Sequence, residues 1–197
     1  MTAVVLASTS ASRMAVLRGA GVEFEAVSPG VDEDAAKAAL LGDGAGPREV
    51  ADALAELKAV RVSARREGLV IGADQTLDLD GALIDKPASL AEARERLKAL
   101  RGRMHRLHAG VVVAQGGQPI WRDVQTSTLW VRPFSDAFLD DYLAREGEAV
   151  LKSVGCYRLE GLGAQLFTRI QGDYFAILGL PLLGLLDLLR RHGAVAT

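Results

Sequence analysis

The order of apolar and polar residues along the chain predicts strands interleaved with amphipathic helices. Strict alternation or a short apolar run predicts a strand, and apolar residues three and four positions apart predict a helix. The segment 42–47 is predicted to be a mobile loop that ends at Pro47, a residue well placed to open a helix. The predicted elements of the first half are a strand at 4–7, a Ser/Thr-rich turn, a helix ending at 19–21, a strand at 23–27, the helix from Pro47, a buried strand at 69–73 and alternating strands within 77–84.

Local turn and capping signals mark the ends of several later elements. Asp80-Gly81 is typical of a tight hairpin turn. Ser89 and Glu92 form a capping box, which opens a helix that Gly102 is placed to end. The remaining predicted elements are β segments at 107–114 and 120–131, a helix capped by Ser135, short strands alternating with glycines from Tyr157, and a last helix from Pro181 to Gly193.

Composition and charge restrict the class of protein. The 197 residues are 49% hydrophobic and 24% charged, as in ordinary globular proteins, so intrinsic disorder is excluded and one α/β domain, 1–197, with two lobes is predicted. A net charge of −2 gives no general attraction for nucleic acid. The apolar runs 3–7 and 174–186 are too short for a secretory signal and a membrane span, respectively. Because Cys156 is the single cysteine, no internal disulfide can form, and a cytoplasmic location is predicted.

The segment LASTSASR, residues 6–13, is the first candidate for chemistry. It places four hydroxyls, including that of Ser8, and the guanidinium of Arg13 between a strand and the start of a helix. Free backbone N–H groups and the helix dipole favour an anion there, so a phosphate would fit. The segment lacks the glycines and the Lys-Ser/Thr pair of a Walker loop. The alternative is a Ser/Thr-rich helix cap without a ligand.

The segment VIGADQT places Asp74 and Gln75 directly after a predicted buried strand. Open α/β sheets bind ligands at the carboxyl ends of their strands, so both residues are candidates for a site. A carboxylate at this position could hold a divalent cation or accept a proton from water. The alternative is an aspartate that only caps a turn.

Three further charged residues are weaker candidates. Lys58 and Lys86 could contact phosphate, although most lysines are simply solvated. Glu33 belongs to the acidic segment SPGVDED, which is predicted to be a loop and could bring a second carboxylate to a metal. Each residue therefore has both a functional and a purely structural interpretation.

Other reactive residue types are interpreted as structural. Asp78 is assigned to the hairpin rather than to a phosphatase aspartate pair, since it does not follow an apolar strand. His105 and His108 fall on opposite faces of a strand and are poor joint metal ligands. Cys156 has no local nucleophile signature, and the glycines that follow Glu160 favour a tight bend.

Several motifs, taken together and in order, resemble the Maf family of nucleoside triphosphate pyrophosphatases. The resemblance runs over nearly the whole chain, with one departure at Ala11, where the family usually has proline. It implies a Maf/Ham1-like mixed twisted sheet with flanking helices, two lobes around a cleft, a divalent cation such as Mg²⁺ or Mn²⁺, and frequent homodimers. The matching motifs are LASTSASR, VDE, the helical Lys58, IGADQT, DKP, Gly102 to His105, YRLEGLGAQLF and GLPLLGLL.

The resemblance also implies roles for individual residues. Asp74 matches the proton acceptor and Glu33 an acidic residue at the metal, for which Asp74 is a second candidate ligand. The residues matching phosphate-facing positions are Ser8, Arg13, Lys58 and Lys86. The reaction expected from this set is attack of water on the α-phosphorus, which releases a nucleoside monophosphate and pyrophosphate, with Asp74 acting as general base or as holder of a metal-bound water.

Two positions bear on the choice of substrate. Family members acting on dTTP and UTP have Thr and Gln where those acting on 7-methyl-GTP have Gln and Glu, and this chain has Gln75 and Glu160. A carboxylate accepts two parallel hydrogen bonds from guanine, whereas uracil offers one N–H between two acceptors. The sequence therefore predicts 7-methyl-GTP, with Arg13 also facing the substrate. The alternatives are dTTP/UTP specificity and a nucleotide-binding regulator of septum formation.

Overall fold

A seven-stranded mixed sheet forms the centre of the structure, a computed structural model that describes residues 2–196. The strand order is β2-β1-β3-β5-β6-β7, with β4 beside β3, and β1 runs parallel to β2 and β3 while the other pairs are antiparallel. The strands are β1 (Val4–Leu6), β2 (Glu25–Ala26), β3 (Leu69–Leu79), β4 (Ala82–Ile84), β5 (Met104–Gln115), β6 (Gln118–Val131) and β7 (Phe167–Gln171).

Helices cover both faces of this sheet. Helix α3 packs against one face, and helices α1 and α7 share a buried apolar core with the other face, as α4 and α5 do further along it. The helices are α1 (Ala11–Gly19), α2 (Glu33–Gly42), α3 (Pro47–Ser63), α4 (Leu90–Leu100), α5 (Asp136–Glu146), α6 (Tyr174–Ile177) and α7 (Leu182–Arg191), with 3₁₀ turns at Gly147–Lys152 and Leu162–Leu166. The predicted α/β class with flanking helices is confirmed.

Strand β3 changes neighbours part-way along one of its edges. Strand β5 pairs with it continuously from Val70 to Asp78. On the opposite edge β1 pairs only as far as Ile71, and β4 pairs only from Leu77 onwards. Residues 72–76 therefore lie in a gap between β1 and β4, and Asp74 is at the middle of that gap.

The side chains of β3 alternate between two environments. Ala73 belongs to the core shared with α1 and α7, and Leu77 belongs to the core shared with α4 and α5. Gln75 lies between them on the same face, so it marks the boundary of the two apolar cores. Asp74 points to the opposite face, towards α3.

Most predicted local signals are confirmed. Ser89 Oγ accepts from the N–H of Glu92, whose carboxylate accepts from the N–H of Ala88 at 2.8 Å. Asp80 and Gly81 adopt positive φ at the β3–β4 turn, where Asp78 Oδ1 accepts from the Gly81 N–H. Further confirmed features are the helix from Pro47, the Ser135 cap, the long β5–β6 hairpin and a last helix after Pro181.

Three predicted features are wrong. The acidic segment around Glu33 is not a loop, because Asp32 accepts from the Ala35 N–H and caps helix α2. The strand at 69–73 does not end before Asp74, since pairing with β5 extends it to Leu79. The predicted run of short strands after Tyr157 is mainly turn and 3₁₀ helix, with β7 as its single strand among the described residues.

Among residues 2–196 no helix is both long and apolar enough to cross a membrane. The single two-lobed domain, the homodimer and the cytoplasmic location stay predictions from the sequence.

Candidate active site

The Lys58 ammonium lies between two carboxylates. Its Nζ is 2.7 Å from Asp74 Oδ1 and 2.9 Å from Glu33 Oε2. Lys58 is 4% exposed and Asp74 8%, whereas the Glu33 side chain is about half-exposed. Because a buried charge is costly unless it is paired, the two carboxylates compensate the burial of the Lys58 ammonium and hold it in one position.

Close packing of α3 on β3 brings this lysine to the sheet. A Cβ built on Gly72 would lie 2.2 Å from the carbonyl oxygen of Ala55 and 2.9 Å from the Ala59 side chain. Any larger residue at position 72 would push α3 away from β3. The glycine two residues before Asp74 therefore allows the Lys58–Asp74 contact.

Arg13 is fixed by polar groups on two sides. Its Nε donates to the carbonyl oxygen of Gly179 at 2.8 Å, and its Nη1 donates to Ser8 Oγ at 3.3 Å. The pKa of Arg13 is lowered by burial, and the charges of Asp74 and Glu33 act in the opposite direction. Ser8 Oγ also accepts from the Ser10 N–H, which orders the turn between β1 and α1.

Lys86 completes the charged cluster from the turn after β4. Its pKa is lowered by burial and by Arg13, and partly restored by Asp74 and Glu33. The charge of Lys58 also lowers the pKa of Lys86. We define the charged cluster as Arg13, Glu33, Lys58, Asp74 and Lys86.

An apolar cavity of about 380 Å³ opens along the length of α1. It lies between α1 and the segment formed by α6 and the start of α7. Ser12 lines it, one residue before Arg13, and the predicted specificity residue Glu160 is part of its wall. The other lining residues are Ala15, Val16, Gly19, Ala20, Phe175, Leu178 and Leu182.

Gln75 does not lie on the same face of β3 as Asp74. Its Nε2 donates to the carbonyl oxygens of Ala176 and Ile177, at 2.9 and 3.0 Å. These carbonyls belong to α6 and follow Phe175, a wall residue of the apolar cavity. Gln75 therefore contacts the structure that shapes the cavity.

The structure brings most of the sequence-predicted residues together, although their chemical roles stay predictions. Ser8 and the charged cluster converge at the gap in β3, and Glu160 lies on the apolar cavity. The sequence pattern did not single out Phe175 or Leu178, because the run 174–186 is apolar and resembles buried core. Pro181 and the glycine at 179, which interrupt that run, were the signal that it bends around a site.

The residues interpreted as structural have structural partners. His105 Nε2 lies 2.7 Å from the Tyr157 hydroxyl, and His108 Nδ1 lies 2.8 Å from Thr126 Oγ1. Cys156 is buried, and burial raises the pKa of its thiol to about 12. These contacts lie outside the charged cluster.

The donor set of the charged cluster fits a hard divalent cation. The contacts with Lys58 use one oxygen of Glu33 and one of Asp74. The second oxygen of each remains for a cation such as Mg²⁺, which usually takes one or two carboxylates and fills its other positions with water and phosphate. Within residues 2–196 no group of three or more His, Cys, Asp or Glu side chains could hold a metal. The residues thus suit a cation shared with a phosphate ligand.

Comparison with known sequences decides the family. The chain matches the sequence model of the family described as Maf-like protein over residues 3–192. The chain belongs to the Maf family. The Maf family resemblance inferred from the ordered motifs is thereby confirmed.

Several proteins similar to this chain are named for an activity. A "Nucleoside triphosphate pyrophosphatase" of Caulobacter vibrioides is 66% identical, covering 99% of this chain and 98% of the relative. One of Granulibacter bethesdensis, with the same name, is 52% identical over 97% of this chain and 98% of its own length. A "7-methyl-GTP pyrophosphatase" of Rhizobium meliloti is 49% identical, covering 97% of this chain and 96% of the relative.

Proposed function

We propose that this Maf protein hydrolyses 7-methyl-GTP to the monophosphate and pyrophosphate, with Asp74 accepting the proton of the attacking water. The coarser activity follows from its family and near-full-length relatives: it is a nucleoside triphosphate pyrophosphatase, a hydrolase of phosphorus-containing anhydrides. The observation that carries the finer proposal is an apolar cavity with Glu160 and Ser12 on its wall, Ser12 being the residue before Arg13 of the charged cluster.

The first turn of α1 connects the two halves of this site. Ser12 lines the apolar cavity and the next residue, Arg13, belongs to the charged cluster. A nucleotide with its base in the cavity would therefore place its phosphates at the cluster. Arg13 and Lys86 supply positive charge for those phosphates, as anion binding requires.

The chain's own residues supply the proton transfer. Lys58 fixes Asp74 Oδ1 at 2.7 Å, which leaves the second oxygen to accept a proton. Water then forms a bond to the α-phosphorus, the bond from that phosphorus to the bridging oxygen breaks, and pyrophosphate leaves with that oxygen. A divalent cation held by Glu33 and by phosphate oxygens would offset charge on the phosphates.

The cavity wall supports a methylated guanine. The Glu160 carboxylate can accept from both N1–H and N2–H₂ of the base. Methylation at N7 adds a positive charge, which a carboxylate attracts and an aromatic ring such as that of Phe175 also favours. The relative named for 7-methyl-GTP supports the same substrate.

The test is a comparison of kcat/KM for pyrophosphate release from 7-methyl-GTP, GTP, UTP and dTTP, with Mg²⁺ and with Mn²⁺. We expect 7-methyl-GTP to be the best substrate, and Glu160→Gln to lower its kcat/KM about tenfold or more through loss of charged hydrogen bonds. Glu148→Gln, at an exposed position outside the cavity, is the matched control. Faster hydrolysis of UTP and dTTP would contradict the proposed substrate, and binding without pyrophosphate release would favour the regulatory alternative.

A further inference from the structure

Helix α2 borders the charged cluster, and none of its ten residues is fully buried. It packs beside α3, and its first residue, Glu33, contributes to the charged cluster through Lys58. A second charged contact lies one turn later, where Lys37 Nζ is 2.5 Å from Asp85 Oδ1. Charged contacts to two different elements therefore hold α2 in place.

The two contacts belong to one side of the helix. Glu33 and Lys37 are four residues apart and so lie one above the other on the surface of α2. Glu33 reaches α3, and Lys37 reaches Asp85, the residue directly before Lys86. Helix α2 thus connects α3 to the turn that supplies Lys86 to the charged cluster.

In the contact between Lys37 and Asp85, the acceptor Asp85 is held in place and the donor Lys37 is partly shielded from solvent. The carbonyl oxygen of Asp85 accepts from Arg96 of α4, which holds the 85–86 turn in place. The Lys37 side chain is only 18% exposed. Burial is the largest single influence and lowers the pKa of Lys37, but the contacts with Asp85 and Asp34 together outweigh it, so the pKa is raised.

Glycines with positive φ lie on both sides of α2. Gly30 precedes the helix with φ of +61° and Gly44 follows it with φ of +86°. Glycine adopts such angles without steric cost and is common at the ends of moving segments. Weak burial between two such glycines is the arrangement of a segment that opens more readily than the core.

We propose that α2 is a lid over the charged cluster and that Lys37 and Asp85 are the positioning pair that holds this lid closed. The inference rests on the proposed function, because the lid would enclose the phosphates of the substrate. Closing brings Glu33 to Lys58 and fixes the turn that bears Lys86, and opening admits the nucleotide. Neither Lys37 nor Asp85 takes part in the chemistry itself.

The kinetic test is a double-mutant cycle with Lys37→Met, Asp85→Asn and the double variant. Each single change should raise KM for the nucleotide about two- to fivefold, the size expected when one partly exposed ion pair is lost. The double variant should be no worse than the more affected single variant, since both changes remove one interaction. Lys98→Met, which removes a lysine paired with Glu95 within α4, should leave KM unchanged.

A second readout needs no turnover. Hydrogen exchange of the amides in α2 should become faster in Lys37→Met, while that of α3 stays as in the wild type. Additive effects of the two single changes on KM, or unchanged hydrogen exchange of the α2 amides in Lys37→Met, would contradict the proposal that α2 is a lid. If the wild type released no pyrophosphate from any nucleotide, the proposed function would fail, and the exchange of α2 would still decide whether the ion pair holds the helix.

Discussion

Lys58 Nζ lies 2.7 Å from Asp74 Oδ1, joining helix α3 to the middle of strand β3 at the gap between β1 and β4. The contact is both structural and electrostatic. It fixes the position of the proposed proton acceptor, Asp74. It also compensates the positive charge of Lys58, which is buried because α3 packs closely on Gly72.

Replacing Lys58 by methionine is expected to impair both stability and catalysis. The change leaves Asp74 buried without its counter-charge and next to Glu33, which should cost about 3 kcal/mol of unfolding free energy. Chemical denaturation measures that loss, and kcat should fall together with it. Lys152→Met, at an exposed lysine, is the control and should change neither quantity.

Replacing Arg13 by lysine is expected to weaken substrate binding although the charge is kept. Lysine lacks the planar fork that reaches both the Gly179 carbonyl oxygen and Ser8 Oγ, so the cation would no longer be fixed. We expect KM to rise about tenfold, corresponding to the loss of a charged hydrogen bond. Arg18→Lys, at an exposed position of the same helix, should leave KM as it is, and an equal rise in both variants would contradict the assignment.

The role of Gln75 is testable with a nearly isosteric change. In Gln75→Glu the side chain loses both donors and presents an acceptor to the carbonyl oxygens of Ala176 and Ile177. Unfolding free energy should fall by about 1–3 kcal/mol, and KM should rise because α6 forms part of the cavity wall. Gln118→Glu, in the exposed β5–β6 turn, should alter neither. Unchanged stability in Gln75→Glu would show that α6 does not depend on this contact.

Stability should depend on pH through His105. Burial lowers the pKa of His105 from 6.5 to about 4, so between these values the unfolded chain binds a proton that the folded protein does not. Unfolding free energy should therefore be constant above pH 6.5 and fall as the pH decreases from 6.5 to 4, by about 3 kcal/mol in total. In His105→Gln, which can still bond Tyr157, that part of the slope should disappear. His192→Gln, at an exposed position, should keep the wild-type slope.

Local sequence signals predicted the elements whose structure is decided by neighbouring residues. The Ser89 cap and the Asp80-Gly81 turn depend on contacts within four residues, and both were found from the sequence. The predicted end of β3 was wrong because pairing with strand β5, which is distant in the sequence, extends β3 past Asp74. Helix α2 was missed because its acidic start resembles a solvated loop, although Asp32 caps it.

The sequence predicted which residues form the candidate site but not how their side chains contact one another. The sequence placed Asp74, Lys58 and Glu33 in one site only through a family resemblance, and no spacing rule would indicate that one ammonium joins both carboxylates. The cavity wall at Phe175 depends on how α6 packs against α1, which is a tertiary contact. The sequence shows that the apolar run 174–186 is interrupted at Gly179 and Pro181, but not where the Phe175 side chain lies.

The central claim is that Asp74 accepts the proton in nucleotide hydrolysis, and pyrophosphate release by Asp74→Asn tests it most directly. The amide still accepts a hydrogen bond from Lys58 but takes up a proton poorly. With circular dichroism showing the wild-type fold, kcat for 7-methyl-GTP should fall at least about 100-fold. A folded Asp74→Asn protein that releases pyrophosphate within a few-fold of the wild-type rate would contradict the account.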